Sequence, residues 1–183
     1  MKGVIFTEFY DLVEELHSPV FLQETIDMAG LPSEGVYTAT GNYPPEDLVA
    51  LVGAYSEKTG IPIEKMMRSF GSHIFERFSD IYPALFAGCH DAFEFLGQVE
   101  TKIHAEVRKL HPDTELPTFE VLEQGEDCFR ILYMSARNLG DFCEGLISGC
   151  VTHFGNRARI EKRTLAEAPR SVIEFTITRG EAC

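Results

Sequence analysis

The chain has 183 residues, 44% of them hydrophobic and 25% charged, and its 16 Lys and Arg against 29 Asp and Glu give a formal net charge of -13. That balance excludes a nucleic-acid binder, because holding a phosphate backbone needs clustered cations that displace its counterions. The length suits one domain, perhaps of two packed lobes. Five cysteines without a C-x-x-C pair do not make the disulfide framework of a small secreted domain. Acids at Glu8, Asp11, Glu14 and Glu15 interrupt a segment that a signal peptide would keep uncharged, and no run approaches the ~18 apolar residues of a membrane span. A reducing, cytoplasmic setting without membrane insertion is expected.

The first elements read as helices. From Val4 to Leu16, Ile5, Phe9, Leu12, Val13 and Leu16 recur at spacings of three and four, one stripe of an amphipathic helix. Ser18-Pro19 has the form of an N-cap followed by proline at the first helical position, opening a helix that Gly30 can close. Tyr43-Pro44-Pro45-Glu46-Asp47 opens a third helix, carrying Leu48, Val49, Leu51, Val52 and Tyr55 and ended by Gly60 and Pro62. A fourth helical region, Glu64 to Phe86, is expected to be interrupted near Gly71 and Pro83.

Asp91, with Glu94 three positions on, resembles a capping box and starts a fifth helix. Its stripe is Phe93, Leu96, Val99, Ile103, Val107 and Leu110, and His111-Pro112 ends it. Ile103 and Val107 flank His104, so an imidazole is expected at the edge of the buried face. After Pro117 the period changes to two. Phe119 and Val121, then Phe129, Ile131 and Tyr133, alternate with polar residues about a Glu123–Asp127 turn, which predicts a β-hairpin. A helix from Leu139 to about Phe154 follows, then strands near Ala158–Leu165 and Val172–Thr178 around a turn with Pro169. The layout is α+β: a mostly helical N-terminal lobe packed on a C-terminal lobe with a four-stranded antiparallel sheet. It reads as a single domain over 1–183, with lobes of roughly 1–62 and 63–183.

Two features carry chemistry. In an extended Tyr133-Met134-Ser135-Ala136-Arg137, a phenol, a hydroxyl and a guanidinium project from one face. All three donate hydrogen bonds, and together they suit a ligand with two carboxylates. The same alternation also belongs to any half-buried strand with a polar face. His104 alone is more often a satisfied core histidine than a ligand. Together, an axial histidine on a helix, a Tyr/Ser/Arg clamp and many apolar side chains are what a b-type heme requires.

With Met1-Lys2-Gly3-Val4-Ile5-Phe6, His104-Ala105-Glu106-Val107-Arg108-Lys109-Leu110, Pro117, Tyr133-Met134-Ser135-Ala136-Arg137 and Phe142-Cys143-Glu144-Gly145-Leu146-Ile147 in this order, the chain resembles the heme-nitric oxide/oxygen-binding (H-NOX) domains. These are related to the sensor region of soluble guanylate cyclase, and the match to the stand-alone bacterial type covers essentially the whole sequence. The Y-x-S-x-R triplet with an upstream histidine is specific, whereas either part alone is weak.

The resemblance implies heme b lying between the lobes. His104 would be the proximal iron ligand, and Tyr133, Ser135 and Arg137 would clamp the propionates. Pro117 would press on the macrocycle and distort it, while Ile5, Leu146 and Phe78 would line it. Members that bind oxygen stably carry a distal tyrosine with polar helpers. Here Phe142 stands at that position and Phe9 and Ile74 at the helpers. Dioxygen is stabilised by a donor to its outer oxygen and NO much less so, which implies NO and CO binding without a stable oxygen complex. The implied function is non-enzymatic. NO breaks the iron–His104 bond, and the altered surface regulates a sensor histidine kinase or a cyclic-di-GMP synthase or phosphodiesterase.

The competing reading is a regulatory module that binds zinc or another small ligand without heme. Cys150 and His153 are three apart on one predicted helix near Cys143, with Cys183 as a further ligand, although small core cysteines have the same pattern. No G-x-S-x-G, H-E-x-x-H or phosphate-loop signature points to an enzyme, and no C-x-x-C-H to covalent heme attachment.

Overall fold

In a computed structural model of the chain the described residues are 1–110, 114–167 and 170–180. The expected helix end at His111-Pro112, the turn proline Pro169 and Cys183 lie outside them. The chain divides into two compact units, Met1–Phe70 and Gly71–Cys183.

The first unit is helical. Helix α1 (Gly3–Leu16) buries Phe9, Leu12 and Val13 of the expected stripe together with Phe6, whereas Ile5 is half-buried and Leu16, at the helix end, is exposed. Helix α2 (Pro19–Ala29) starts as its sequence dictates: Ser18 Oγ accepts a 3.2 Å bond from the Phe21 amide, and Pro19 follows the cap. Helix α3 (Pro45–Thr59) places Glu46 and Asp47 in its first turn, where the helix dipole favours anions. Both α2 and α3 stop at a glycine in the left-handed region, Gly30 at φ 59° and Gly60 at φ 71°. The Phe9 ring meets Tyr55 and Phe70 edge-on at centroid distances of 6.4 and 5.3 Å, an arrangement aromatic quadrupoles favour.

Helix α4 (Ile63–Ile81) contains the boundary between the units. It runs through Gly71, so the expected break there is wrong. The glycine serves close packing instead. A Cβ at Gly71 would overlap the Phe142 carbonyl oxygen and stand 3.0 Å from the Gly145 Cα. The expected break at Pro83 is real, and Pro83–Leu85 form a short 3-10 turn.

In the second unit Asp91 caps α5 (Ala92–Gln98), its carboxylate accepting from the Glu94 amide at 2.9 Å. The single long helix expected from Asp91 to Leu110 is three segments. After α5 the backbone widens into a π-turn over Val99–Ile103 before α6 (His104–Leu110). The amide of His104 bonds the Val99 carbonyl, five residues back. An extra residue in the turn changes the phase of the apolar stripe, which a constant 3.6-residue period cannot register.

The sheet consists of β1 (Thr118–Gln124), β2 (Cys128–Ser135), β3 (Ala158–Ala166) and β4 (Ser171–Arg179), in the order β1-β2-β4-β3 with antiparallel neighbours. Strand β2 turns Phe129, Ile131, Tyr133 and Ser135 inward. They join one core with Ile173, Phe175 and Ile177 of β4, Phe93, Phe95 and Leu96 of α5, and Cys143, Ile147 and Cys150 of α7 (Gly140–His153). The α+β class and the four-stranded antiparallel sheet agree with the sequence.

Candidate functional site

His104 opens α6 immediately after the π-turn, its side chain 12% exposed. Its Nδ1 lies 3.1 Å from Glu100 Oε2, and its ring packs against Phe119 of β1 at 5.5 Å. Burial lowers the imidazole pKa and outweighs the raising effect of Glu100. Burial thus favours the neutral ring, which keeps a lone pair for a metal. Phe119 in turn packs on Tyr133 at 5.6 Å and pairs with it across the β1–β2 ladder. The helix histidine and the strand tyrosine thus share one aromatic neighbour, although 29 positions apart in the sequence.

Tyr133 and Ser135 are 3% and 7% exposed and face the same side at the end of β2. Burial pushes the Tyr133 phenol up to about 12, against a hydrogen bond with Ser135 that lowers it, so the hydroxyl is a donor throughout the physiological range. Arg137 corrects the expectation of three side chains on one extended strand. The strand ends at Ser135, and Ala136 and Arg137 lie in a bend. The Arg137 amide donates to Ser135 Oγ at 3.0 Å, a local turn contact that diverts the backbone. Its guanidinium reaches Glu115 Oε2 at 3.4 Å. An exposed carboxylate at that distance is easily exchanged for another anion.

The structure adds Ser171, which sequence periodicity does not mark. It is paired with Ser135 across the β2–β4 ladder, is 3% exposed, and its Oγ has no hydrogen-bond partner among the described residues. Glu100 was also missed. It reads as one more surface acid until the fold brings His104, Arg108 and the Phe119 amide onto its carboxylate.

The remaining expected residues are apolar. Pro117 is half-buried just before β1. Leu146 packs against the core from α7, and Phe142 is half-buried on the same helix. Phe78 of α4 is half-buried and meets Tyr82 edge-on at 5.8 Å. Ile74 is buried. All these belong to the second unit, whereas Ile5 and the buried Phe9 belong to the first.

Among the described residues no three His, Cys, Asp or Glu side chains come together as a metal cluster. Cys143 and Cys150 are buried core thiols whose pKa values burial raises. No described helix is long and apolar enough to cross a membrane.

The family model described as haem-NO-binding matches residues 2–162. The chain belongs to this family. The Fe(II) unliganded H-NOX protein from K. algicida is 36% identical, with a TM-score of 0.92 over 100% of this chain and 98% of that one. The H-NOX from Shewanella woodyi, solved in the Fe(II)CO state, is 32% identical, with a TM-score of 0.83 over 98% and 95%. An H-NOX from S. oneidensis in the Fe(II)NO state shares the fold at 23% identity and a TM-score of 0.89 over 99% and 100%. No curated protein matches. H-NOX domains are heme-binding gas-sensing domains, and heme b is their cofactor. The donor set of the second unit suits that group: a neutral buried imidazole for iron, and phenol, hydroxyl and guanidinium donors for carboxylates.

Proposed function

We propose that this H-NOX domain is a nitric oxide sensor without catalytic activity of its own, working as one unit over 1–183. His104 holds the heme iron, Tyr133, Ser135 and Arg137 hold the propionates, and Pro117, Ile5, Phe78, Phe142 and Leu146 enclose the ring. The heme, when bound, supplies the iron at which NO binds and weakens the bond to His104. The protein's part is to release or retain that imidazole, and α6 carries the difference to the surface.

The observation that carries NO over oxygen is Phe142, with Phe9 and Ile74 buried and apolar. None of the three side chains can donate a hydrogen bond, so none of them favours the polarised oxygen complex. The family description and the CO complex of the Shewanella woodyi relative support the reading. The output partner is a sensor histidine kinase or a cyclic-di-GMP synthase or phosphodiesterase in the cytoplasm. The test is spectroscopic. The reduced protein shows a Soret band that shifts with NO and with CO, and admitting air gives no persistent oxy spectrum. A stable oxy spectrum, or a Soret band unchanged in His104→Gly, overturns it.

A further inference from the structure

Glu100 joins three elements around His104. From the π-turn its Oε2 faces His104 Nδ1 at 3.1 Å and accepts from the Phe119 amide of β1 at 3.1 Å. Its Oε1 accepts from Arg108 Nη2 at 2.7 Å, one turn beyond His104 on α6. Glu100 and His104 are four positions apart and so lie on one helix face, from which Glu100 also reaches the strand.

We infer that Glu100 is a positioning residue that sets how strongly His104 binds iron and how readily it lets go, with Arg108 as the counter-charge that moderates it. The inference rests on the heme-sensor reading above. Both Glu100 oxygens already accept, from Arg108 and from the Phe119 amide, so toward His104 the carboxylate is an acceptor, the shared proton sits on His104 Nδ1 and Nε2 is left as the ligating nitrogen. A carboxylate on the far nitrogen gives the imidazole partial imidazolate character and strengthens its bond to a metal. Arg108 on the other oxygen withdraws part of that charge. The backbone bond to Phe119 fixes the carboxylate, so the imidazole plane is held from β1 as well as from its own helix. Release of His104 therefore has to overcome, or rearrange, this contact.

The arrangement predicts opposite effects for its two ends. In the heme-loaded, ferrous, unliganded protein, Glu100→Leu moves the iron–histidine stretching band in resonance Raman to lower wavenumber and raises the five-coordinate share of the NO complex. Arg108→Met, which leaves the carboxylate less neutralised, moves both the other way. Glu100→Gln keeps the shape and an acceptor oxygen without the charge, and falls between wild type and Glu100→Leu. Heme dissociation accelerates about tenfold or more in Glu100→Leu, the usual cost of losing such a partner. Nitrogen-15 spectra of the apo-protein show the Nδ1–H tautomer in wild type. A purely structural role would move the two ends in the same direction. Unchanged bands in Glu100→Gln and Arg108→Met at full heme content overturn the inference and leave the sensor reading standing. Absence of a histidine-dependent Soret band in wild type overturns both.

Discussion

Gly71 in α4 and Phe142 in α7 meet backbone to backbone: a Cβ on the glycine would overlap the Phe142 carbonyl oxygen and stand 2.9 Å from the Leu146 amide nitrogen. The obstacles are main-chain atoms, which cannot swing aside as a side chain can. Gly71→Ala is therefore expected to destabilise the protein despite the better helix propensity of alanine, by about 1–3 kcal/mol, the usual cost of overpacking. The measurement is the urea midpoint, and an unchanged or raised midpoint contradicts the packing. Because Phe142 must move to admit the methyl group, the CO stretching band of the heme-loaded variant is expected to shift as well.

In the proposed clamp Tyr133, Ser135 and Arg137 would hold the propionates in different ways, so their losses should differ. Tyr133→Phe removes a buried phenol donor while keeping the ring between Phe119 and Phe175. Arg137→Leu removes the only charge of the three. A hydrogen bond to a charged partner contributes about 1.5–3 kcal/mol, so Arg137→Leu should speed heme transfer to apomyoglobin by about ten- to a hundredfold. Tyr133→Phe should speed it less, and transfer at the wild-type rate in both variants would refute the clamp.

The four described free cysteines should separate by reactivity. Cys143 and Cys150 are buried with raised pKa values, whereas Cys89 and Cys128 are half-buried. The thiolate is the nucleophile, so alkylation at pH 8 is expected to label Cys89 and Cys128 first, and Cys143 and Cys150 only after unfolding. Peptide mass mapping reads the order, and early labelling of Cys150 would contradict the packing of α7.

Glu174 gives a pH dependence with a definite sign. Arg130 contacts its Oε1 at 2.5 Å and Arg163 contacts its Oε2. These two guanidiniums hold the Glu174 carboxyl below its ordinary value. A carboxylate depressed in the folded state stabilises above its unfolded pKa, near 4.3, and loses that contribution as the pH falls through the folded pKa. The urea midpoint of Glu174→Gln should therefore lie below wild type at pH 7 and converge on it in acid. A gap that stays constant from pH 7 down to 3 would show that the ion pairs are not its source.

The local chemistry of the chain was legible in its residues. Ser18-Pro19, Gly30, Gly60 and Asp91 each act on their own backbone neighbours, so caps and stops need no tertiary context to be read. Strict alternation in Phe129, Ile131 and Tyr133 announces a strand for the same reason. Gly71 misled because a flexible residue and a residue that admits another backbone are identical in sequence. Only the approach of α7 tells them apart.

The acidic balance and the α+β order were thus determined by the sequence alone, because each depends on composition or periodicity along one chain, and the family resemblance is what pointed to His104 with Tyr133, Ser135 and Arg137. The phase shift at Val99–Ile103, the bend that takes Arg137 off the strand, and the convergence of His104, Arg108 and Phe119 on Glu100 were decided only by the tertiary structure. A carboxylate's partners are chosen by proximity in space, which spacing along the chain does not encode.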